Sequence, residues 1–342
     1  MNINNNNDNK NFKNFFRISL YISIVAILFV GGFFTGKGLK ILTKISSQKK
    51  DLDKEDLGIN QEMQETFEEL SNGKIINIAA FGLDRRTKEE TPRSDAIMIV
   101  TIDSSRKKVK LISVMRDLYV NIDGVGKDKL NHAYFYGGPS LSIKTLNQNF
   151  DLNINDYISV DFFNLPKIID ELGGVELYVK ESEINNLNKY IKENQRILNM
   201  EGDFLIKEAG LQTLSGIQAL SFARIRSVGD GDFERTERQR KVILAMIEKA
   251  KTISPLKLTS LLEKYIDSIE TSLSLNKLLS IGANLLLGGY EIEQTRIPFE
   301  GDYADSGKII DGVWYLTFDK ESTKEKLINY IFNDVHPQNE TE

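Results

Sequence analysis

Three apolar runs decide the fold: IINIAAF at residues 75–81, AIMIVTI at 96–102 and VKLISVM at 109–115. Each run is short and almost continuously apolar, which is typical of a buried strand. The charged break DSSRKK at 103–108 predicts a hairpin between the second run and the third. Further along, strands alternate with segments of helical spacing. The sequence therefore predicts an α/β fold, with a mixed central β-sheet flanked by helices in an α/β/α sandwich.

Apolar spacing and capping residues predict the elements that follow these runs. Pro139 suits the first turn of a helix, Gly173–Gly174 suits a helix C-terminus, and Ser215 suits an N-cap. The predicted elements are a helix at 139–149, strands at 157–162 and 175–179, a helix at 165–172, a helix after Ser215 and a long helix from about Phe233 to Lys251.

The N-terminal region contains one long uncharged segment. Residues 18–36 carry no charge over 19 positions, and a helix of that length spans roughly 28 Å, close to the thickness of a bilayer core. A cleaved signal peptide is the alternative, although its apolar region would be shorter. We expect a transmembrane helix at 18–36 between a tail at 1–17 and a polar stalk at 37–73, then a folded domain at 74–335 and a C-terminal tail at 336–342. Basic residues on both sides of the helix leave its orientation open.

The overall composition excludes several classes of protein and site. The chain has 342 residues and a net charge of −5, and an acidic body argues against sequence-independent binding of nucleic acid. It has no cysteine, which excludes disulfide scaffolds, cysteine-zinc sites and thiol nucleophiles. With only two histidines, a histidine zinc site or a Ser-His-Asp triad is not expected.

The arginines are concentrated, although lysine is the commoner basic residue. The chain has 13 arginines, and five of them lie within Arg224–Arg240. Arginine is favoured over lysine where a planar guanidinium binds carboxylate or phosphate oxygens through two hydrogen bonds. Ion pairs with neighbouring acids are the alternative for any single arginine. The cluster as a whole, at strand ends and at a helix start, indicates a site for an anion.

Two aspartates lie where an α/β sheet binds ligands. Asp84 follows the first predicted strand, and Asp95 precedes the second. Asp232 precedes Arg235 at the start of the long helix, where free backbone N–H groups also favour an anion. Oxygen ligands without His or Cys favour Mg²⁺, with Mn²⁺ as a substitute. A simple salt bridge between Asp84 and Arg86 is equally consistent with the spacing.

Together these motifs resemble the LytR–CpsA–Psr (LCP) family of bacterial envelope phosphotransferases. The matching stretches lie within 75–250, and at two positions, Leu83 and Met115, the residue differs from the usual one without loss of a charge. The stretches are FGLDRR, RSDAIMIVTID, SVMRDLYVNIDG, KLNHAYFYGGP, YISVDFFNLPKIIDELGGVEL and LSGIQALSFARIRSVGDGDFERTERQR.

The resemblance implies a membrane-anchored enzyme that transfers a glycopolymer from undecaprenyl pyrophosphate to peptidoglycan. It implies a single-pass protein of the cytoplasmic membrane, with an extracytoplasmic catalytic domain. The acidic body separately argues against a nucleic-acid partner. Its Mg²⁺ ligands fall on Asp84 and Asp95. Its pyrophosphate-binding residues fall on Arg86, Arg116, Arg224, Arg226, Arg235 and Gln239, with Arg85, Arg93 and Arg238 adjacent to them.

The catalytic roles implied for these residues are positioning and stabilisation of charge. Arg86, Arg116 and Arg235 would stabilise the departing phosphate, and Asp232 is a candidate general base. The lipid would need an apolar tunnel, for which the strands and the 242–247 face of the long helix are candidates, although ordinary core is the simpler interpretation of that face.

Two other functions are compatible with the same residues. A pyrophosphatase would use water as the acceptor, and a lipid-carrier binding or regulatory module would bind pyrophosphate without turnover. His132 invites an acid–base role, and Tyr134 and Tyr136 could stack on a sugar, but packing is the simpler interpretation of all three.

Overall fold

The computed structural model describes residues 52, 56–84, 91–161, 164–226, 232–265, 269–274, 277–278, 280–282, 289–303 and 307–337. The predicted tail, the predicted transmembrane helix, much of the predicted stalk and most of the C-terminal tail lie outside these residues. Among the described residues, no helix combines the length and the hydrophobicity needed to cross a bilayer.

The described residues contain strands from Ile75 to Tyr315. The strands are β1 (Ile75–Asp84), β2 (Arg93–Asp103), β3 (Lys108–Val114), β4 (Tyr119–Ile122), β5 (Gly126–Lys129), β6 (Asp156–Asp161), β7 (Val175–Val179), β8 (Gly210–Leu214), β9 (Ile269–Thr271), β10 (Glu291–Ile297), β11 (Lys308–Ile310) and β12 (Val313–Tyr315).

Six of these strands form the central sheet, in the order β10-β3-β2-β1-β6-β9. β1, β2 and β3 are antiparallel neighbours, which confirms the hairpin predicted at 103–108. β6 runs parallel to β1, and β10 runs parallel to β3. The sheet is therefore mixed, as predicted. Three two-stranded sheets, β4-β5, β7-β8 and β11-β12, lie outside it.

Helices surround the sheet. They are α1 (Gln61–Ser71), α2 (His132–Phe150), α3 (Leu165–Leu172), α4 (Glu181–Leu198), α5 (Gly216–Arg224), α6 (Asp232–Lys251), α7 (Pro255–Tyr265) and α8 (Lys320–Ile328), and a π-helical turn at Asn329–Asn333 follows α8.

The helices predicted from sequence differ from the observed ones mainly at their ends. α2 begins at His132, and a kink at Gly137 and Gly138 separates its first turn from the part predicted to begin at Pro139. Gly138 has a φ of 62°, a conformation that side chains with a Cβ rarely adopt. α6 begins at Asp232, one residue before the predicted start.

The two faces of the sheet bury different sets of side chains. On one face Phe81 and Ile99 pack with Leu146 of α2. On the other face Met98 packs with residues that include Ile243 of α6. Alternate residues of a strand point to opposite faces, so the continuous apolar runs supply both layers of the sandwich.

Part of the predicted stalk belongs to the core, which corrects the expected domain start at residue 74. Leu52, Leu57 and Phe67 are buried in the main hydrophobic cluster. The Phe67 ring stacks on the Phe332 ring, with centroids 4.2 Å apart and planes 3° apart. The sequence pattern of α1 predicted a polar stalk because acidic residues and glutamines surround this one aromatic side chain.

Replacing Phe67 by alanine should destabilise the domain strongly. Phe67 is fully buried, and loss of a buried aromatic ring costs about 3–5 kcal/mol of the free energy of unfolding. Leu70→Ala is the matched control on the same helix, because Leu70 is 49% exposed. Chemical denaturation of the full chain measures both variants. Equal losses in the two would contradict the docking of α1.

Candidate active site

A β-bulge at the end of the β1–β2 ladder places Asp95. Gly82 pairs with Ala96, so a regular ladder would put Asp95 opposite Leu83; instead Leu83 pairs with Ser94, and Asp95 is the extra residue. Leu83 and Ser94 are both buried. The bulge therefore gives the core position to a serine and re-aims the aspartate, as bulges beside active sites commonly do.

Arg116 connects this aspartate to two other carboxylates. Its Nη1 donates to Asp95 Oδ1 at 2.7 Å and its Nε to Asp117 Oδ2 at 3.2 Å, and its Nε lies 3.8 Å from Asp232 Oδ2. Burial alone would lower the pKa of Arg116, but these three carboxylates outweigh it and raise the pKa. Lys129 Nζ donates to the other oxygen of Asp117 at 2.7 Å. The arginine is thus fixed from several sides.

Arg235 is buried and keeps unused hydrogen-bond donors. It lies in the first turn of α6, and its Nη2 donates to Asp232 Oδ2 at 2.8 Å. Its side chain is 3% exposed, and its Nε and Nη1 have no hydrogen-bond partner among the described residues. Desolvation and the nearby Arg116 and Arg226 outweigh Asp232 and lower the pKa of Arg235 to about 10. A buried cation with open donors is costly, and an anionic ligand would satisfy it.

Arg226 lies at the same site but is held less tightly. Its Nη2 is 3.9 Å from Asp95 Oδ2, and its Nε is 3.8 Å from Asp232 Oδ1. These distances exceed those of hydrogen bonds, and the side chain is partly exposed. The structure therefore brings together Asp95, Arg116, Arg226, Asp232 and Arg235 of the predicted site residues.

Arg224 is engaged elsewhere. Its guanidinium hydrogen bonds to Asn194 and to Glu193 Oε1, the latter at 3.0 Å, and lies over the Tyr190 ring. All three partners belong to α4. For Arg224 the structure shows the ion-pair alternative and no contact with the acids around Arg116.

Arg238 does not reach the site, contrary to its prediction as a neighbouring pyrophosphate ligand. It is buried, and all three guanidinium nitrogens bond to protein: Nε to Glu183 at 2.8 Å, Nη1 to the carbonyl of Ile225 at 3.2 Å, and Nη2 to Glu234. It is a structural residue.

The remaining predicted site residues are Gln239, Arg93, Asp84, Arg85 and Arg86. Gln239 is half-buried, one turn after Arg235 on α6. Arg93 is exposed, with its guanidinium 5.5 Å from the Phe135 ring centroid. The side chain of Asp84, and the whole of Arg85 and Arg86, lie outside the described residues.

The backbone brings the two predicted metal ligands to one corner of the sheet. Asp84 is the last residue of β1 and pairs with Arg93, two residues before Asp95. Within the described residues no group of three or more His, Cys, Asp or Glu side chains could hold a metal ion. Two carboxylates plus substrate oxygens are nevertheless the oxygen donor set that Mg²⁺ takes beside a phosphate.

Two residues of this network carried no predicted role. Asp117 and Lys129 support Arg116, and Arg116 and Lys129 lower the pKa of Asp117 against the opposing effect of its burial. Asp117 stands beside Arg116 in the sequence, and that adjacency was the available signal. Lys129 comes from β5, and no local pattern ties it to the site.

The candidates Tyr134 and His132 both have partners within the protein. Tyr134 is buried, with its hydroxyl 3.1 Å from Ser159 Oγ and its ring edge-on to Phe81. His132 Nδ1 lies 2.8 Å from Asp128 Oδ2.

Comparison with known proteins identifies the family of the chain. The LytR_cpsA_psr family model matches residues 35–329. The chain is 30% identical over 316 residues to the polyisoprenyl-teichoic acid–peptidoglycan teichoic acid transferase TagU of Bacillus cereus, covering 91% of this chain and 94% of that protein. It is 32% identical over 272 residues to the regulatory protein MsrR of Staphylococcus aureus, covering 78% and 77%.

Solved structures show the same fold. The LCP family protein YwtF (TagT) of Bacillus subtilis, with bound octaprenyl pyrophosphate lipid, superposes with a TM-score of 0.55 at 26% identity and covers 76% of this chain and 91% of that chain. Another crystal structure of B. subtilis TagT gives a TM-score of 0.58 at 26% identity and covers 76% of this chain and 92% of that chain. With the family model matching most of its length, this chain belongs to the LytR–CpsA–Psr family.

Proposed function

We propose that this protein transfers an anionic glycopolymer, of teichoic-acid or capsular type, from undecaprenyl pyrophosphate to peptidoglycan. The observation that carries the proposal is Arg235, a buried guanidinium beside Arg116 and Arg226, two of whose nitrogens have no partner within the part of the chain that the structure describes. Such a cluster suits a pyrophosphate, whose charge and many acceptor oxygens match several guanidiniums at once. The relative TagU carries the matching name, a transferase from polyisoprenyl-linked teichoic acid to peptidoglycan.

An apolar surface near the site supports a lipid-linked donor. Several side chains on one face of the sheet are only partly buried although they are apolar, and Ile243 and Leu244 of α6 pack beside them. The half-buried members on the strands are Ile76, Ala80, Val100, Ile158 and Ile292. A well-packed core buries such residues fully, so this layer suits a polyprenyl chain between the sheet and α6.

The metal and the anchor complete the proposal. Asp84 and Asp95 would hold Mg²⁺, or Mn²⁺ in its place, and the ion would neutralise charge on the pyrophosphate oxygens. The segment 18–36 would anchor the protein in the cytoplasmic membrane, with the domain outside and the short N-terminus inside.

In this mechanism the protein mainly positions the reactants. The acceptor hydroxyl oxygen bonds to the phosphorus that carries the polymer, the bond from that phosphorus to the bridging oxygen breaks, and polyprenyl phosphate leaves. Arg116 and Arg235 stabilise the charge that develops on the leaving phosphate. Asp232, held between Arg235 and Arg116, is the candidate acceptor for the hydroxyl proton.

The test is the fate of the polymer. Full-length protein is given a synthetic polyprenyl-pyrophosphate-linked glycopolymer with un-crosslinked peptidoglycan strands, and we expect polymer joined covalently to the strands. Arg116→Ala should abolish the product, and Lys207→Ala, at an exposed salt bridge, should not. Free polymer as the sole product would indicate a pyrophosphatase. Donor binding without any turnover would indicate a regulatory module, as in the name of MsrR.

A further inference from the structure

A carboxylate outside the site gathers three aromatic side chains. Asp128 of β5 accepts hydrogen bonds from Tyr136 Oη at 3.1 Å and from His132 Nδ1 at 2.8 Å. Desolvation and the nearby Asp128 raise the pKa of Tyr315. The three rings come from α2 and β12, so Asp128 ties a helix start to a hairpin. None of these residues has a part in the phosphate site.

Around this carboxylate lies a partly exposed aromatic surface, here called the aromatic platform: Tyr119, His132, Tyr136, Trp314 and Tyr315. Trp314 is 41% exposed and Tyr136 is 49% exposed. The Tyr119 and Tyr315 ring centroids are 4.7 Å apart. Lys129 Nζ lies 5.7 Å from the Trp314 ring and 5.9 Å from the Tyr315 ring. Broad apolar ring faces are thus interleaved with charged and hydroxyl groups.

The aromatic platform adjoins the phosphate site through Asp117. Leu316, which follows Tyr315, donates its backbone N–H to the Asp117 carbonyl at 2.9 Å, and Tyr119 donates to the Leu316 carbonyl at 3.0 Å. Lys129 bonds to the Asp117 carboxylate, which also accepts from Arg116. Arg235 of α6 contacts this network through Asp232 and the carbonyl of Asp95 instead. The aromatic platform is therefore connected to Arg116 through Asp117 and Lys129, and not through the residues that contact Arg235.

We propose that the aromatic platform binds the glycan strand of the acceptor, a polymer of amino sugars. Pyranose rings offer apolar C–H faces to aromatic rings and hydroxyl edges to Asp128 and Lys129. A lipid surface would instead have to bury the charged carboxylate of Asp128, which is energetically costly. This placement brings an acceptor hydroxyl toward the donor phosphate held at Arg116. The inference rests on the proposed function, since it names the subsite for that reaction's second substrate.

The single tryptophan of the chain makes the proposal directly measurable. Trp314 is that residue, so intrinsic tryptophan fluorescence reports on the aromatic platform alone. Titration of the full-length protein with soluble un-crosslinked peptidoglycan glycan strands should shift the emission and saturate. Tyr136→Ala should weaken binding about tenfold. The matched control is Tyr178→Ala, which removes an exposed tyrosine on β7, outside the aromatic platform, and should bind normally.

Kinetics give a second readout. Trp314→Ala and Tyr136→Ala should each raise the KM for glycan strands about tenfold and leave donor affinity unchanged. An emission that glycan strands do not alter, or equal weakening by Tyr178→Ala, would overturn the proposal. An emission shift caused by the lipid-free donor polymer but not by peptidoglycan strands would overturn it in favour of a donor-sugar site. Glycan binding without any transfer would leave the subsite standing and refute the proposed function instead.

Discussion

Arg235→Lys should slow transfer about tenfold to a hundredfold. Lysine keeps the charge but lacks the planar set of donors, and each hydrogen bond to a charged group contributes about 1.5–3 kcal/mol. The melting temperature without ligand should hardly change, because two nitrogens of Arg235 have no partner among the residues that the structure describes. Turnover and melting temperature, with and without a polyprenyl pyrophosphate, measure the two effects separately.

Two other arginines on the same stretch supply the comparison. Arg238→Lys should lower the melting temperature, because it breaks buried hydrogen bonds to Glu183 and Ile225. Arg224→Lys should change little, because a partly exposed pair such as that with Glu193 contributes about 0–1 kcal/mol. Wild-type turnover in Arg235→Lys, or a large loss of its ligand-free stability, would show that Arg235 has a structural role only.

Asp95→Asn should reduce transfer at least about a hundredfold and leave the fold intact. The substitution keeps the shape but removes the charge that Arg116 contacts at 2.7 Å and that a divalent cation would require. Loss of a cation ligand beside a polyanionic substrate removes a large part of the electrostatic stabilisation in phosphoryl transfer. The control is Asp123→Asn, which removes an exposed carboxylate paired with Lys144 and should act as wild type.

Titration with Mg²⁺, and then with Mn²⁺, separates the two roles of Asp95. If Asp95 ligates the ion, any residual activity of the variant should require a much higher metal concentration. If it only positions Arg116, turnover should fall with an unchanged metal requirement. Normal turnover in the variant would eliminate both roles.

The sheet was predictable because its central strands are apolar on both faces and so give a nearly continuous apolar signal. Phe67 shows the limit of that signal. One buried ring in a helix of acids and glutamines does not change the local pattern, and its partner Phe332 lies at the far end of the chain. Docking of this kind depends on contacts between distant segments, which periodicity does not record.

Residue type predicted much of the candidate site, but not which arginines face the ligand. Arg235 and Arg238 are three apart on one helix, yet one has open donors and the other is fully bonded. The difference arises from Glu183, which α4 brings to Arg238 from 55 residues away. Composition locates such a cluster, and only the packing of the helices assigns its members.

The bulge at Asp95 also constrains how this protein can vary. If Asp95 were deleted, Ser94 would directly precede Ala96 in the sequence. Ala96 would still pair with Gly82 and Ser94 with Leu83, so β2 would pair with β1 without a bulge. Such a one-residue deletion would leave the pleat and the buried positions in order, and the only loss would be the carboxylate. Regular pairing and the candidate site are therefore alternatives at this point in the sheet. In a comparison of homologues, a gap of one residue here would mark a protein that has kept the fold and given up the chemistry.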